Sequence, residues 1–240
     1  MVRSKLPNTP HPADGVTLTW IVVLSGVKRL APLSLFVIPF GIGFRVTAIE
    51  QGLTGPQALV MSAAVFSGAA QFASLDFWPH PVNLFSLALV IFAINGRHVI
   101  TGAALSPWLN QLPLLKRWLA LGLLSDPNFT DSHGAFQAGE KDVGILLGGG
   151  LVLWLNWILG TAIGTYAGTT AGSLQSFGFD VVMVCFFATL MTRKLRQRSS
   201  IVPAVIAACV SVLTLGWLPT GWNIIAAALV GGAVGVVREF

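Results

Sequence analysis

Apolar residues in this chain come in long runs broken only sparsely by polar ones, without the period-two alternation of a half-buried strand or the narrow stripe of a surface helix. Seven runs have the length of membrane-crossing helices: Leu30 to Ile49, Gln57 to Trp78, Asn83 to Ser106, Val143 to Gly168, Phe179 to Thr192, Ile201 to Leu218 and Trp222 to Val237. The stretch Val16 to Val27 is shorter and runs straight into Lys28 and Arg29 with no small-residue cleavage site, so it reads as an interfacial helix and not as a signal peptide. Before it, Pro7, Pro10 and Pro12 with Arg3 and Lys5 give the pattern of a disordered cytoplasmic tail. The expected organisation is a tail over 1–15, an interfacial helix over 16–29 and a transmembrane domain over 30–240.

Composition turns that pattern into a class. Of 240 residues, 54% are hydrophobic and 10% are charged, with 14 Lys and Arg against 9 Asp and Glu, whereas a soluble domain carries about 25% charged residues. Mean hydropathy is +0.77. Nearly the whole chain is needed inside the bilayer, which leaves no soluble catalytic domain, and a non-enzymatic function is expected. The expected fold is all-α, a polytopic transmembrane helical bundle of about 7–8 spans with one or more broken or half-spanning helices. Trp20, Trp78, Trp108, Trp118, Trp217 and Trp222 lie at or just beyond segment ends, where an indole sits at headgroup level.

The net charge of +5 does not indicate nucleic acid. Its basic residues gather in loop clusters, Lys28 with Arg29, Lys116 with Arg117, and Arg193, Lys194, Arg196 and Arg198, as in cytoplasmic loops that hold membrane topology. Seven full spans cannot place the first and last of these clusters on the same side, so one segment must be an extra or partial crossing. The best candidate is Leu114 to Ser125, too short to cross alone, followed by the Asp126-Pro127-Asn128 break. Cys185 and Cys209 both fall in apolar runs, with no disulfide framework and no metal-ligand spacing, and no cofactor is expected. Gly160, Gly164 and Gly168, and again Gly231 and Gly235, repeat at the spacing that lets helices approach closely.

Polar residues inside the apolar runs carry the chemistry. Ser67, Gln71 and Ser74 follow an i, i+4, i+7 stripe, next to Gly68-Ala69-Ala70. Two readings stand: hydrogen bonds between packed helices, or a substrate-lining face at a helix break where Gly68 exposes backbone groups. In the third run, Asn95-Gly96-Arg97-His98 interrupts an otherwise apolar segment. An arginine near the bilayer centre costs about 2.5–3.5 kcal/mol on insertion scales. Arg97 therefore reads either as a carboxylate partner, with His98 as a proton carrier, or as a side chain snorkelling from a span that ends early. Asp126, at the helix break, is the acid best placed for ammonium binding or proton coupling, while Glu50, Asp76 and Asp180 lie near span ends. Gly41-Ile42-Gly43 after Pro39 is a further candidate unwound point.

Pro39-Phe40-Gly41-Ile42-Gly43-Phe44, Phe66 to Phe72, Asn95-Gly96-Arg97-His98 followed by Gly102-Ala103-Ala104-Leu105, and Gly178-Phe179-Asp180 together resemble the AzlC family, the large subunits of branched-chain amino acid exporters. The resemblance covers Leu30 to the end. It implies a multi-pass permease of the cell membrane that exports branched-chain amino acids, in some members methionine, with a small hydrophobic AzlD-type subunit as partner. No Gly-x-x-x-x-Gly-Lys-Ser/Thr element is present, so nucleotide hydrolysis is not expected in this chain. One departure stands out: the family's Asp-Glu pair before a Phe is here Asp126-Pro127-Asn128-Phe129, without the glutamate. The expected substrate site comprises Ser67, Gly68, Gln71, Asn95, Arg97, His98 and Asp126, with an apolar amino acid as substrate. Transport of another small organic anion is the alternative, followed by an intramembrane hydrolase using Ser67 and His98 and a non-transporting assembly protein.

Overall fold

The first long apolar run ends its straight course at a proline. Pro39 lacks an N–H and its ring clashes with the carbonyl four residues back, so a helix arriving from the amino side cannot pass through it unbent. The computed structural model, which describes residues 15–75, 77–78, 84–167, 201–218 and 222–239, divides this run into α1 (Trp20–Leu35) and α2 (Val37–Glu50), bent by 55° at Phe36. Pro39 then sits in the first turn of α2, where its missing donor costs nothing. The break therefore lies ahead of Gly41-Ile42-Gly43, which is helical. α1 starts at Trp20, within the stretch expected to lie in the interface, and continues unbroken through Lys28 and Arg29.

The second run is also divided. α3 (Gly55–Ala64) opens on a capping box in which Thr54 and Gln57 satisfy each other's backbone donors, with Pro at the start of the helix. It stops at Val65, whose backbone is extended, and α4 (Gly68–Leu75) begins after Ser67. The third run is a single helix, α5 (Leu84–Leu109). The short apolar piece forms α6 (Leu114–Gly122), and the polar stretch after it forms α7 (Asp126–Gln137). Beyond these lie α8 (Gly144–Ala167), α9 (Ile201–Thr214) and α10 (Trp222–Glu239).

No strand occurs among the described residues, and the fold is an all-α membrane bundle. Among the described residues α5 and α8 are each long and apolar enough to cross a bilayer, and α1 with α2 passes the same test only when the bent pair is taken as one span. α9 and Ala226–Val237 are shorter apolar helices. The expected span Phe179 to Thr192, the Gly178-Phe179-Asp180 motif, Asp76, Cys185 and the Arg193 to Arg198 cluster lie outside the described residues.

The chain forms two compact units, Met1–Ile38 with Arg97–Gly160, and Pro39–Gly96 with Thr161–Phe240. In the first unit, Leu105, Trp108, Leu109, Leu112, Leu124, Phe136 and Leu146 form the core. There α1 and α8 meet backbone to backbone: a methyl group at Gly148 would strike the Val23 carbonyl oxygen, and one at Gly144 would lie 2.8 Å from the Thr19 oxygen. From the opposite side, a methyl at Gly26 would lie 3.0 Å from the Gly149 nitrogen. This is small-residue packing of the kind membrane helices use in place of a hydrophobic drive. In the second unit, Phe77 and Val90 are buried against Leu87, Ile94 and Trp222, and Gly231 on α10 packs against Ala207 on α9.

Candidate functional site

The break between α3 and α4 is the feature that positions polar groups in the second unit. Where a helix starts, its first N–H groups have no acceptor within the helix, so Gly68, Ala69 and Ala70 present donors at a point where an unbroken span would present none. The Ser67 carbonyl accepts the Gln71 N–H at 2.9 Å, as expected of the residue that caps the helix. Its hydroxyl reaches across to α5 and donates to Asn95 Oδ1 at 2.7 Å. Ser74 Oγ returns to its own helix, donating to the Gln71 carbonyl at 2.6 Å.

The polar stripe therefore divides. Ser67 makes the hydrogen bond between helices, and Ser74 is satisfied locally. Gln71 is fully buried, yet among the described residues neither Oε1 nor Nε2 has a hydrogen-bond partner. The Ser67 bond also bears on hydrolytic chemistry, because an amide oxygen is not a general base that could activate the hydroxyl.

In the first unit, Arg97 and Asp126, assigned to the two ends of a substrate by sequence, are bonded to each other. Arg97 Nη1 lies 2.9 Å from Asp126 Oδ2, and each side chain is 41% exposed. Asp126 is in the first turn of α7, where the helix dipole favours a negative charge. His98 is half-buried on the same helix as Arg97, and its backbone carbonyl, with that of Arg97, accepts from the Thr101 hydroxyl at 3.3 Å. Nearby, the N-cap hydroxyl of α7, Ser125 Oγ, is buried without a partner.

The structure also brings forward residues that the sequence pattern hid. Arg45 lies in α2 only 6% exposed, with Nε donating to Thr165 Oγ1 at 3.1 Å and Nη1 to the Leu53 carbonyl at 3.2 Å. Among the described residues no carboxylate pairs with it. Its signal was available in the sequence, an arginine directly after Pro39 to Phe44 that interrupts the first apolar run. Asn128, two residues after Asp126 in the stretch that lacks the family's glutamate, is completely buried and fully used: Nδ2 donates to the carbonyls of Leu123 at 3.2 Å and Leu146 at 2.9 Å, and Oδ1 accepts from Ser132. A carboxylate there would face two carbonyl oxygens with nothing to donate, so asparagine at this point is dictated by packing against α8.

Asp142, at the foot of α8, accepts from the Thr17 hydroxyl at 2.8 Å and from the N–H groups of Thr19 at 3.1 Å and Gly144 at 2.7 Å. Burial pushes its carboxyl up, but the bonds from Gly144, Thr17 and Thr19 outweigh it and hold the group below the usual carboxylate range. The charged side chain thus ties the segment before α1 to the start of α8.

No group of three or more His, Cys, Asp or Glu side chains able to hold a metal occurs among the described residues. What each unit offers is hydrogen bonding or charge at a helix break, Ser67 with Asn95 in the second and Arg97 with Asp126 in the first.

A family model described as AzlC protein matches residues 32–171, more than half of the chain. The inner membrane protein YgaZ of Escherichia coli (strain K12) is 25% identical over 242 residues, spanning 97% of this chain and 95% of its own. An uncharacterized membrane protein of Archaeoglobus fulgidus is 26% identical over 211 residues, 86% of this chain and 90% of its own. One from Helicobacter pylori (strain 26695) is 20% identical over 187 residues, 78% of this chain and 82% of its own. No solved structure matches the chain.

Proposed function

Because the chain belongs to the AzlC family of membrane proteins, we propose that it is a permease exporting branched-chain or other apolar amino acids across the cell membrane. In this reading it is a secondary transporter that works with a small AzlD-type membrane subunit. The observation that carries it is the break between α3 and α4. Irregular backbone at membrane depth is tolerated where it lines a protein cavity, and discontinuous helices are where transporters bind substrate groups.

The proposed substrate contacts are Ser67, Gly68, Gln71 and Asn95 within the second unit and, as a separate group, Arg97, His98 and Asp126 within the first. The Arg97–Asp126 bond bears on substrate class. An amino acid zwitterion replaces that bond by two, carboxylate to guanidinium and ammonium to carboxylate, with no change in net charge. A keto acid would take the guanidinium and leave Asp126 without its cation, which favours an amino acid over a simple organic anion.

The test is efflux of labelled leucine from proteoliposomes holding the chain with its small partner subunit. Leucine efflux that exceeds empty liposomes and is competed by unlabelled isoleucine and valine is the expected result. Absence of leucine movement, with 4-methyl-2-oxopentanoate transported instead, would transfer the assignment to organic anions.

A further inference from the structure

Gln71 is the one residue of the polar stripe whose side chain the protein leaves wholly unsatisfied. Gln71 is 0% exposed, and among the described residues both Oε1 and Nε2 lack a partner. Burying one such polar group without a hydrogen bond costs about 1–3 kcal/mol by protein mutational measures, and an amide carries both a donor and an acceptor. A leucine of nearly the same volume would fill the position without that cost, so a packing role does not account for glutamine. The residue stands one turn into α4 on the same face as Ser67, and helical side chains lean toward the helix N-terminus. A side chain leaning that way is directed toward the break, where the N–H groups of Gly68, Ala69 and Ala70 have no acceptor within α4.

We propose that the Gln71 amide holds the zwitterionic headgroup of the transported amino acid in an occluded position at the start of α4. Nε2 donates to the carboxylate beside the first N–H groups of the helix, whose dipole favours that negative charge, and Oε1 accepts from the ammonium. The assignment rests on the permease reading above and deepens it: a neutral amide beside a helix N-terminus meets both halves of a zwitterion and leaves one hydrogen-bonding atom unused with a keto acid or an amine. It is a separate contact from the half-exposed Arg97–Asp126 pair, and the headgroup occupies the two in turn and not together.

The experiment measures equilibrium binding of tritiated L-leucine to the full chain with its small subunit in detergent, with unlabelled leucine, 4-methyl-2-oxopentanoate and 3-methylbutan-1-amine as competitors. Thermal unfolding is followed on the same samples. The wild-type protein is expected to bind leucine at least tenfold more tightly than either analogue. Gln71→Leu is expected to lose leucine affinity at least tenfold with an unchanged or higher Tm, because two unpaired polar atoms have left the interior. Gln71→Glu keeps the acceptor and loses the donor, and is expected to bind the amine in preference to the keto acid. Wild-type leucine affinity in Gln71→Leu overturns the proposal, as does a lowered Tm, which would give Gln71 a structural role. A wild-type protein that neither binds nor exports leucine removes the permease reading instead, so the two failures are distinguishable.

Discussion

Arg97 and Asp126 share one bond, with Nη1 to Oδ2 at 2.9 Å, and the rest of the guanidinium fork remains to one side of it. If that fork grips a substrate carboxylate, lysine is no substitute, because an ammonium is a point charge on a flexible stem and cannot offer two parallel donors. Arg97→Lys is expected to insert and fold, keep its pairing with Asp126, and export leucine about tenfold more slowly per folded molecule. Arg97→Gln, which strands Asp126, is expected to lose more. A lysine variant with wild-type export would reduce Arg97 to a snorkelling side chain. Asp142 makes a second prediction at this scale. Its carboxyl titrates lower in the folded protein than in the unfolded chain, so the stability it contributes is fully present above the ordinary aspartate value of about 3.9 and is lost as pH falls through the folded value. Asp142→Ala should therefore lower the Tm at pH 7 and converge on the wild type as the solution is acidified below the ordinary aspartate range. A Tm difference that persists unchanged at acidic pH would show that the charge is not what holds Thr17 and Thr19.

Helices α1 and α8 meet where Gly26, Gly144 and Gly148 remove the side chains between them. A side chain at Gly148 would meet the backbone carbonyl of Val23, which cannot rotate away as a side-chain tip can. Gly148→Leu is expected to force the helices apart and destabilise the protein by about 3 kcal/mol, read as a lower yield of monodisperse protein and a lower Tm in detergent. Gly15, with open space around it, serves as the control, since Gly15→Ala should leave both unchanged. The helices themselves were legible in the sequence because the length of an apolar run is set by bilayer thickness: α5, α8, α9 and α10 start within one residue of where those runs do. The discontinuity near Gly68 was legible too, since serine and glycine inside an apolar run are poor helix interior residues. The Gly144 and Gly148 contact was hidden inside a glycine-rich stretch where every spacing looks alike, and the bend at Phe36 was assigned to the wrong residues because the effect of Pro39 falls on the turn before it. Neither the idle amide of Gln71 nor the mutual pairing of Arg97 and Asp126 was legible, because partners distant in sequence decide which polar side chains are satisfied.

At the scale of the whole chain, side of the membrane is the property that remains to be measured, and the first unit constrains it. Lys28 and Arg29 are in α1, and Arg29 forms a two-bond ion pair with Asp131 of α7, Nε to Oδ2 at 3.1 Å and Nη2 to Oδ1 at 2.8 Å. Lys116 and Arg117 are in α6 of the same unit, and Arg117 donates to the carbonyls of Leu109, Asn110 and Leu112 at the end of α5. α6 has 9 residues and α7 has 12, with Asp126, Asn128, Asp131 and His133 among them, so neither is long or apolar enough to cross. The two basic clusters are thus expected on one face, the cytoplasmic one by their charge, and not on opposite faces as a count of three full spans between them would give. An even number of crossings then separates Arg29 from Lys116, which the part of the bent α1–α2 pair beyond Arg29 and α5 supply if the broken α3 and α4, rising about 15 and 12 Å, enter and leave from the same side. From Lys116, α8 and the crossing expected of the sequence run Phe179 to Thr192 would return the chain to the cytoplasm, the side expected for the Arg193 to Arg198 cluster by its charge. Single cysteines at Ser4, Lys116 and Ser199, in a chain whose Cys185 and Cys209 are replaced by serine, should all resist an impermeant maleimide added to intact cells and react after permeabilisation. Labelling of Lys116→Cys from outside, with Ser4→Cys and Ser199→Cys still protected, would show that α3 and α4 together make a full crossing and that the chain regains its parity through α6 and α7.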